Sequence, residues 1–388
     1  MRTIATVSFA VAALVGTAGI GAAVEAVHWE PRQAAAYLDQ RAAWWQGWPP
    51  ARRGGNTVCL SCHTMLPYAL SRPLLRKDLA EKEIPLAEQT MLSHITKRMA
   101  GWDAMQPYYD EKSAPEIQAR MTPDTLMSFY SDERFGAGKT AESRSTEAIV
   151  NTLALVSESQ AHDPTHLTPV AQSALKILLP LQLTSGDDAG GWNWQNFHLA
   201  PWETEGSRFL GTSYVALTLG RTPAAYRATP EAQHALTGLN DYFAARQKGQ
   251  SLFNRLHQLW AARALPDLLP AADIRADLRK QVLDRQLPDG SWRLYSLGGW
   301  ARYDGSMPSA DGDGYATGLA VLALPALHDP DADAAVRRGR AWLASHQQDG
   351  YWRAASLNKQ RDPNTDPSRF MNDAATAYAV QALLSDTR

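Results

Sequence analysis

"GRAWLASHQQDGYW", residues 339–352, reads as an amphipathic helix that ends near Gln347 and is followed by Gly350, Tyr351 and Trp352. "LRKQVLDRQLPDGSW" (278–292) repeats the plan with Gln286, Gly290 and Trp292. A looser copy, "SALKILLPLQLTSGDDAGGW" (173–192), carries Gln182 and Trp192. Recurrence of this kind marks a repeat architecture, in which a unit buries its apolar face only against its neighbours.

Each copy is followed, after a loop, by a second helical stretch of small and aliphatic residues. These read "GTSYVALTL" (211–219), "ATGLAVLAL" (316–324) and "ATAYAVQAL" (375–383). "STEAIVNTL" (145–153) fits the same template and "HQLWAARAL" (257–265) fits it loosely. Thr146, Thr212, Thr317 and Thr376 fall in register, with Gln258 at that position in the loose copy. The first helix of each unit carries charge on one face, so it meets solvent there. The second is apolar nearly all round and belongs between two layers. Five such hairpins follow residue 86, and a sixth at the front closes a ring. Its outer helix is "PRQAAAYLDQRAAWW" (31–45), and its inner helix is "TVCLSCHTMLPYALSRPLL" (57–75), with Thr64 in the threonine register and Pro67 and Pro73 as interruptions. The expected fold is all-α, a single (α/α)6 toroid of six helical hairpins.

The only two cysteines, Cys59 and Cys62, lie in "GGNTVCLSCHTML" (54–66) and are followed by His63. Cys-x-x-Cys-His is the spacing of a c-type haem attachment. On a helical turn the two thiols add to the two vinyl groups of one haem, and the adjacent imidazole takes the iron. A zinc site needs a further thiolate or imidazole. A thioredoxin-like dithiol opens a helix within a βαβ pattern that this sequence lacks. A disulfide between the two would close a very tight loop. The reading is one covalent haem c, held by Cys59, Cys62 and His63, at the start of the first inner helix. His63 is then the proximal iron ligand. Hairpin six adjoins hairpin one in a closed ring, which makes Met371 the candidate sixth ligand, with an open sixth position as the alternative. Met307 and His198 lie in other loops of the same rim, and Met65, Met91, His94, Met99, Met105 and Met121 lie nearer in sequence. Methionines on helices more often fill cores.

The Gln–Gly–Trp units resemble the QW repeats of squalene–hopene cyclases and their relatives, the α/α-toroid terpenoid cyclase and protein prenyltransferase superfamily. The resemblance covers most of residues 30–386 and is most specific at 278–292 and 339–352. It implies that the Gln and Trp residues tie the outer helices together, and that a ligand cavity opens where the inner helices begin. The activities do not carry over. The cyclase acid lies in an Asp-x-Asp-Asp motif before an inner helix. In "DGDGYAT" (311–317) Asp313 takes the first position, but Tyr315 and Ala316 replace the next two acids. "NDAAT" (372–376) has Ala374 and Ala375 there. Alkene protonation then lacks its proton source. The prenyltransferases hold zinc with Asp, Cys and His, and both cysteines here are already assigned.

The N-terminus sets the expected compartment. Arg2 precedes an uncharged stretch that runs to Glu25, with small residues at Ala23 and Ala26, the layout of an export signal. The chain divides into a signal at 1–26, a haem-attachment segment at 27–85 and toroid repeats at 86–388. The expected location is the periplasm, with membrane contact only if the signal stays uncleaved as an anchor. A net charge of −2 without a basic run argues against nucleic acid as a partner.

Several rim residues are candidates with competing readings. Asp311, Asp313 and Asp373 suit an acid or base and equally an N-cap. Arg302, Lys359, Arg361 and Arg369 suit haem propionates, an acidic substrate or plain solvation. Trp192, Trp194, Trp202, Trp300 and Trp352 suit an apolar wall or repeat packing. Glu203 and Glu205 have no assigned role. The functional expectation is electron transfer, or haem-dependent redox chemistry on a small apolar molecule, isoprenoid by fold analogy, with a redox partner protein. The alternatives are a terpene cyclase-like isomerase with structural haem and a non-enzymatic electron-transfer subunit of a periplasmic dehydrogenase.

Overall fold

A computed structural model describes residues 29–109 and 137–385. The expected signal at 1–26 and the candidate Met121 lie outside the described residues. Fourteen α-helices lie within them. Six outer helices, α1 (Pro31–Gly47), α3 (Leu86–Ala100), α5 (Pro169–Leu178), α8 (Pro230–Arg246), α10 (Ala272–Leu283) and α13 (Pro330–Ser345), alternate with six inner ones. The inner helices are α2 (Met65–Asp78), α4 (Ala137–His162), α6 (Ser207–Arg221), α9 (Leu252–Ala262), α12 (Gly314–Ala323) and α14 (Phe370–Leu384). Two short helices, α7 (Ala224–Arg227) and α11 (Leu294–Gly298), lie in connections. Each inner helix packs on the next, and α14 packs on α2, so the ring closes as the sequence predicts. The fold is an all-α (α/α)6 toroid.

The repeat motif explains the closure atom by atom. Gln286 Nε2 donates to Gly290 O and to Ala335 O of the next outer helix, both at 2.9 Å. Gln182 Nε2 does the same to Gly190 O and Ala235 O. Gln347 reaches across the seam to the backbone of Glu30, just before α1. The repeat tryptophans cap the helices they follow: Trp192, Trp292 and Trp352 donate Nε1 to Leu178 O, Val282 O and Leu343 O at 2.8–2.9 Å. All three are fully buried. Their backbone N–H groups donate to Thr212, Thr317 and Thr376, which is why those threonines keep register. Gly290 and Gly350 have φ of +95° and +85°, and a Cβ there would meet the backbone of the next outer helix at Arg338 O or Gln33 O.

Aromatic side chains pack together between the inner helices. Tyr378 accepts or donates at His257 Nε2 (2.8 Å) and meets the Tyr214 hydroxyl at 3.3 Å. Tyr315 packs on Tyr378 at 4.4 Å between ring centroids and accepts Trp202 Nε1 at 2.9 Å. Trp194 and Trp202 are buried against Tyr214 and Tyr315 of this packing, while Trp192 and Trp352 are buried in their repeat roles under the outer helices.

Candidate functional site

The Cys-x-x-Cys-His segment forms a loop between a small hairpin, Arg52–Arg53 paired with Thr57–Val58, and helix α2. The sequence reading put this segment on a helical turn. The structure corrects that: helix α2 begins at Met65, one residue after Thr64. Ser61 sets the boundary, because its hydroxyl accepts the backbone N–H groups of Thr64 (3.3 Å) and Met65 (3.2 Å). Pro73 lies inside the helix without ending it. The loop is pinned from outside. Trp45 Nε1 donates to Cys59 O at 2.9 Å, Leu60 N donates to the Tyr108 hydroxyl at 3.2 Å, and Arg98 donates to Thr57 Oγ1 at 2.9 Å.

Both cysteines are free thiols and both are buried. Burial raises Cys59 and pushes Cys62 further up, so neither has the lowered pKa of a reactive dithiol. His63 sits in an aromatic cage. Phe370 stacks on its ring at 4.0 Å, Trp45 meets it edge-on at 4.9 Å, and Trp202 lies at 5.8 Å. Burial, with Arg41 and Arg361 nearby, lowers its pKa to about 3. The imidazole is therefore neutral at any ordinary pH.

A buried relay fixes its tautomer. Thr64 Oγ1 donates to Asp373 Oδ2 at 2.8 Å, so it receives the Nδ1–H of His63 at 2.8 Å. Nε2 then keeps its lone pair and has no hydrogen-bond partner among the described residues. Asp373 also accepts from the Tyr37 hydroxyl and Arg41 Nε, each at 2.8 Å. Burial raises its pKa and Arg41 pulls it down, and three donors on two oxygens suit the carboxylate. Arg41 is braced in turn by Asp366 at 2.7 Å. Asp373 is thus neither a free acid nor an N-cap, but the hub of a buried network.

The other candidates separate clearly. Asp313 is the N-cap of α12 and accepts Ala316 N (2.8 Å) and Leu294 N (2.6 Å). Burial pushes its pKa up to about 6, yet both oxygens are occupied by backbone. Asp311 is exposed and bonded to Ser309. Met371 is buried on the first turn of α14, beside the Phe370 that stacks on His63. Met307 and His198 are exposed. Met65, Met91 and His94 gather with Cys59 around a small gap, and the buried His94 Nδ1 has no hydrogen-bond partner among the described residues. Arg302 is tied to Ser356 O and Met307 O, and Arg369 lies 3.9 Å from Asp366. Glu203 bridges to Leu199 through backbone, and burial pushes its carboxyl up to about 8 against the pull of Lys139. Sequence reasoning missed Tyr37, Arg41 and Thr64 as partners of the site. Only the threonine register pointed at one of them.

The donor set fits a c-type haem: two free thiols at the right spacing, and an adjacent imidazole with Nδ1–H tied back and Nε2 open. No group of three or more His, Cys, Asp or Glu suited to a bare metal ion occurs among the described residues.

No protein-family model matches the sequence, and no curated protein sequence matches it. A solved structure with a similar course is the unsaturated glucuronyl hydrolase of Bacillus sp. GL1, responsible for the degradation of glycosaminoglycan. It is 11% identical, with a TM-score of 0.49, over 92% of this chain and 96% of that one.

Proposed function

We propose that this chain is an exported c-type haem protein that passes single electrons to or from a redox partner protein, with the toroid as its rigid frame. The observation that carries the reading is the His63 relay. A half-buried, neutral imidazole is held in one tautomer by the buried Thr64 and Asp373, beside two free thiols. When bound, haem supplies a one-electron couple. Cys59 and Cys62 would hold it covalently and His63 Nε2 would ligate the iron.

The residues around it do the tuning. Asp373 acts through Thr64 to make the imidazole a stronger electron donor, which favours the oxidised iron. Arg41 offsets the buried negative charge, and the Phe370 stack fixes the ring plane. Because His63 is already neutral, ligation displaces no proton from it. Electron transfer is favoured over chemistry on an apolar molecule in the toroid because Tyr214, Tyr315, Tyr378 and His257 fill that axis. An isomerase reading gains no support from Asp313, whose oxygens cap a helix.

Met371 remains the proposed sixth ligand, with His94 and Met91 as its rivals beside Cys59. Reduced spectra with and without carbon monoxide test the assignment. Sharp bands indifferent to carbon monoxide in the parent, lost in Met371→Ala, support it. Unchanged bands in that variant rule Met371 out.

A further inference from the structure

A groove of about 1080 Å³ opens on the rim between hairpins five, six and one, lined by Tyr37, Tyr295, Tyr351, Arg293, Arg353 and Trp342 among others. Cys59, Cys62 and His63 do not border it, although Tyr37 of the Asp373 network does, with Arg302, Arg361 and Arg369. Two of its arginines hold equivalent places in the repeat. Arg293 follows Trp292 and Arg353 follows Trp352, whereas Asn193 follows Trp192. The fold sets both beside one turn of backbone: Asp313 N donates to Trp292 O at 2.9 Å, and the next residue, Gly314, donates N–H to Arg353 O at 3.0 Å.

Neither side chain has a hydrogen-bond or ion-pair partner among the described residues. The carboxylates of the groove, by contrast, are mostly occupied. Asp289 accepts from Ser291 and from Trp342 Nε1 at 3.1 Å, Asp313 caps α12, and Asp311 accepts from Ser309. Asp349 alone is unpaired and exposed. Stacked rings wall the site: Tyr37 on Tyr351 at 5.0 Å, and Trp342 on His346 at 4.2 Å. The volume is at the upper end for small-molecule sites.

We propose that this groove is a binding site for a small multivalent anion, a di- or tricarboxylate or a phosphate ester, held by Arg293 and Arg353. Guanidinium groups pair with both kinds of oxyanion in the same forked geometry, and two of them on one groove select for more than one charge. The site does not depend on haem.

The test is calorimetry, with tryptophan fluorescence as a second readout of Trp342, on the full chain titrated with citrate and, separately, with pyrophosphate. The R293A/R353A double variant is compared with R337A, which removes an exposed arginine of α13 outside the groove. Saturable binding of either anion, at least about tenfold weaker in the double variant and unchanged in R337A, supports the site. Citrate alone points to a carboxylate ligand and pyrophosphate alone to a phosphate. R293Q/R353Q keeps the test open if the alanine variant unfolds. Absence of saturable binding of both anions, equal affinity in the double variant, or equal loss in R337A overturns the proposal.

Discussion

Hairpins five and six use the threonine of the inner helix in one way, and hairpin one uses it in another. Thr317 and Thr376 each accept the backbone N–H of a repeat tryptophan, and the contact serves only to join loop to helix. Thr64 holds the corresponding slot, but no repeat tryptophan precedes it. Its hydroxyl lies instead between the His63 imidazole and the Asp373 carboxylate. A hydrogen bond that joins loop to helix in the repeat here joins an imidazole to a buried carboxylate, the link through which, on the proposed function, the frame would act on the iron ligand. Asp373 comes from the last inner helix, so the seam of the ring and the proposed haem site share the same residues.

The two regions respond differently to damage. Trp292→Ala removes a fully buried indole and its cap on α10, at a cost of about 3–5 kcal/mol in urea or thermal unfolding. Asp373→Ala takes from the buried Arg41 the inner of its two carboxylate partners, leaving only Asp366, and costs about 3 kcal/mol. The variants part on a second measurement. In haem-loaded protein Asp373→Ala raises the reduction potential, and Trp292→Ala leaves it in place. Equal potentials in both would make the relay a mere structural contact.

Acid titration sharpens the contrast. His63 ionises near pH 3 in the folded haem-free chain but near its ordinary value, about 6.5, when unfolded. The unfolded chain therefore binds more protons between those limits, and stability falls as pH drops through them. His63→Gln flattens part of that slope in denaturation curves recorded from pH 6.5 to 3. A slope unchanged by the substitution contradicts the lowered pKa of His63.

The threonines give the smaller and more discriminating pair. Thr64→Val and Thr317→Val each lose about 1 kcal/mol, the net worth of a buried hydrogen bond. Only Thr64→Val frees the His63 tautomer and moves the potential. Gln286→Ala, which cuts a bond to its own loop at Gly290 and the bonds to Ala335 O and Arg338 of the next outer helix, costs about 1 kcal/mol and leaves the His63 site untouched.

The toroid was legible because its Gln, Gly and Trp residues have backbone-level jobs that recur at each turn of the ring. Hairpins two and four lack that motif and could be read only from their apolar inner helices. The Cys-x-x-Cys-His spacing was legible because its five residues are contiguous in the chain. The helix boundary at Met65 depended on which hydroxyl caps the turn, and Ser61 is one of several polar residues able to do so. The hub was legible only in part: Asp373 stood among three candidate acids, but its partner Arg41, 332 positions away, looks like an ordinary surface charge in sequence. Arg293 and Arg353 are equivalent only once the repeat is aligned, and the occupied carboxylates around them appear only in three dimensions.

The most direct test of the central claim is a pyridine haemochrome spectrum, with intact mass, of protein exported together with the haem-attachment machinery and then denatured. The account predicts one haem per chain that stays with the polypeptide after denaturation and is lost in Cys59→Ala/Cys62→Ala. A chain that matures under those conditions without covalent haem contradicts it, and leaves Cys59 and Cys62 as a buried dithiol on a toroid.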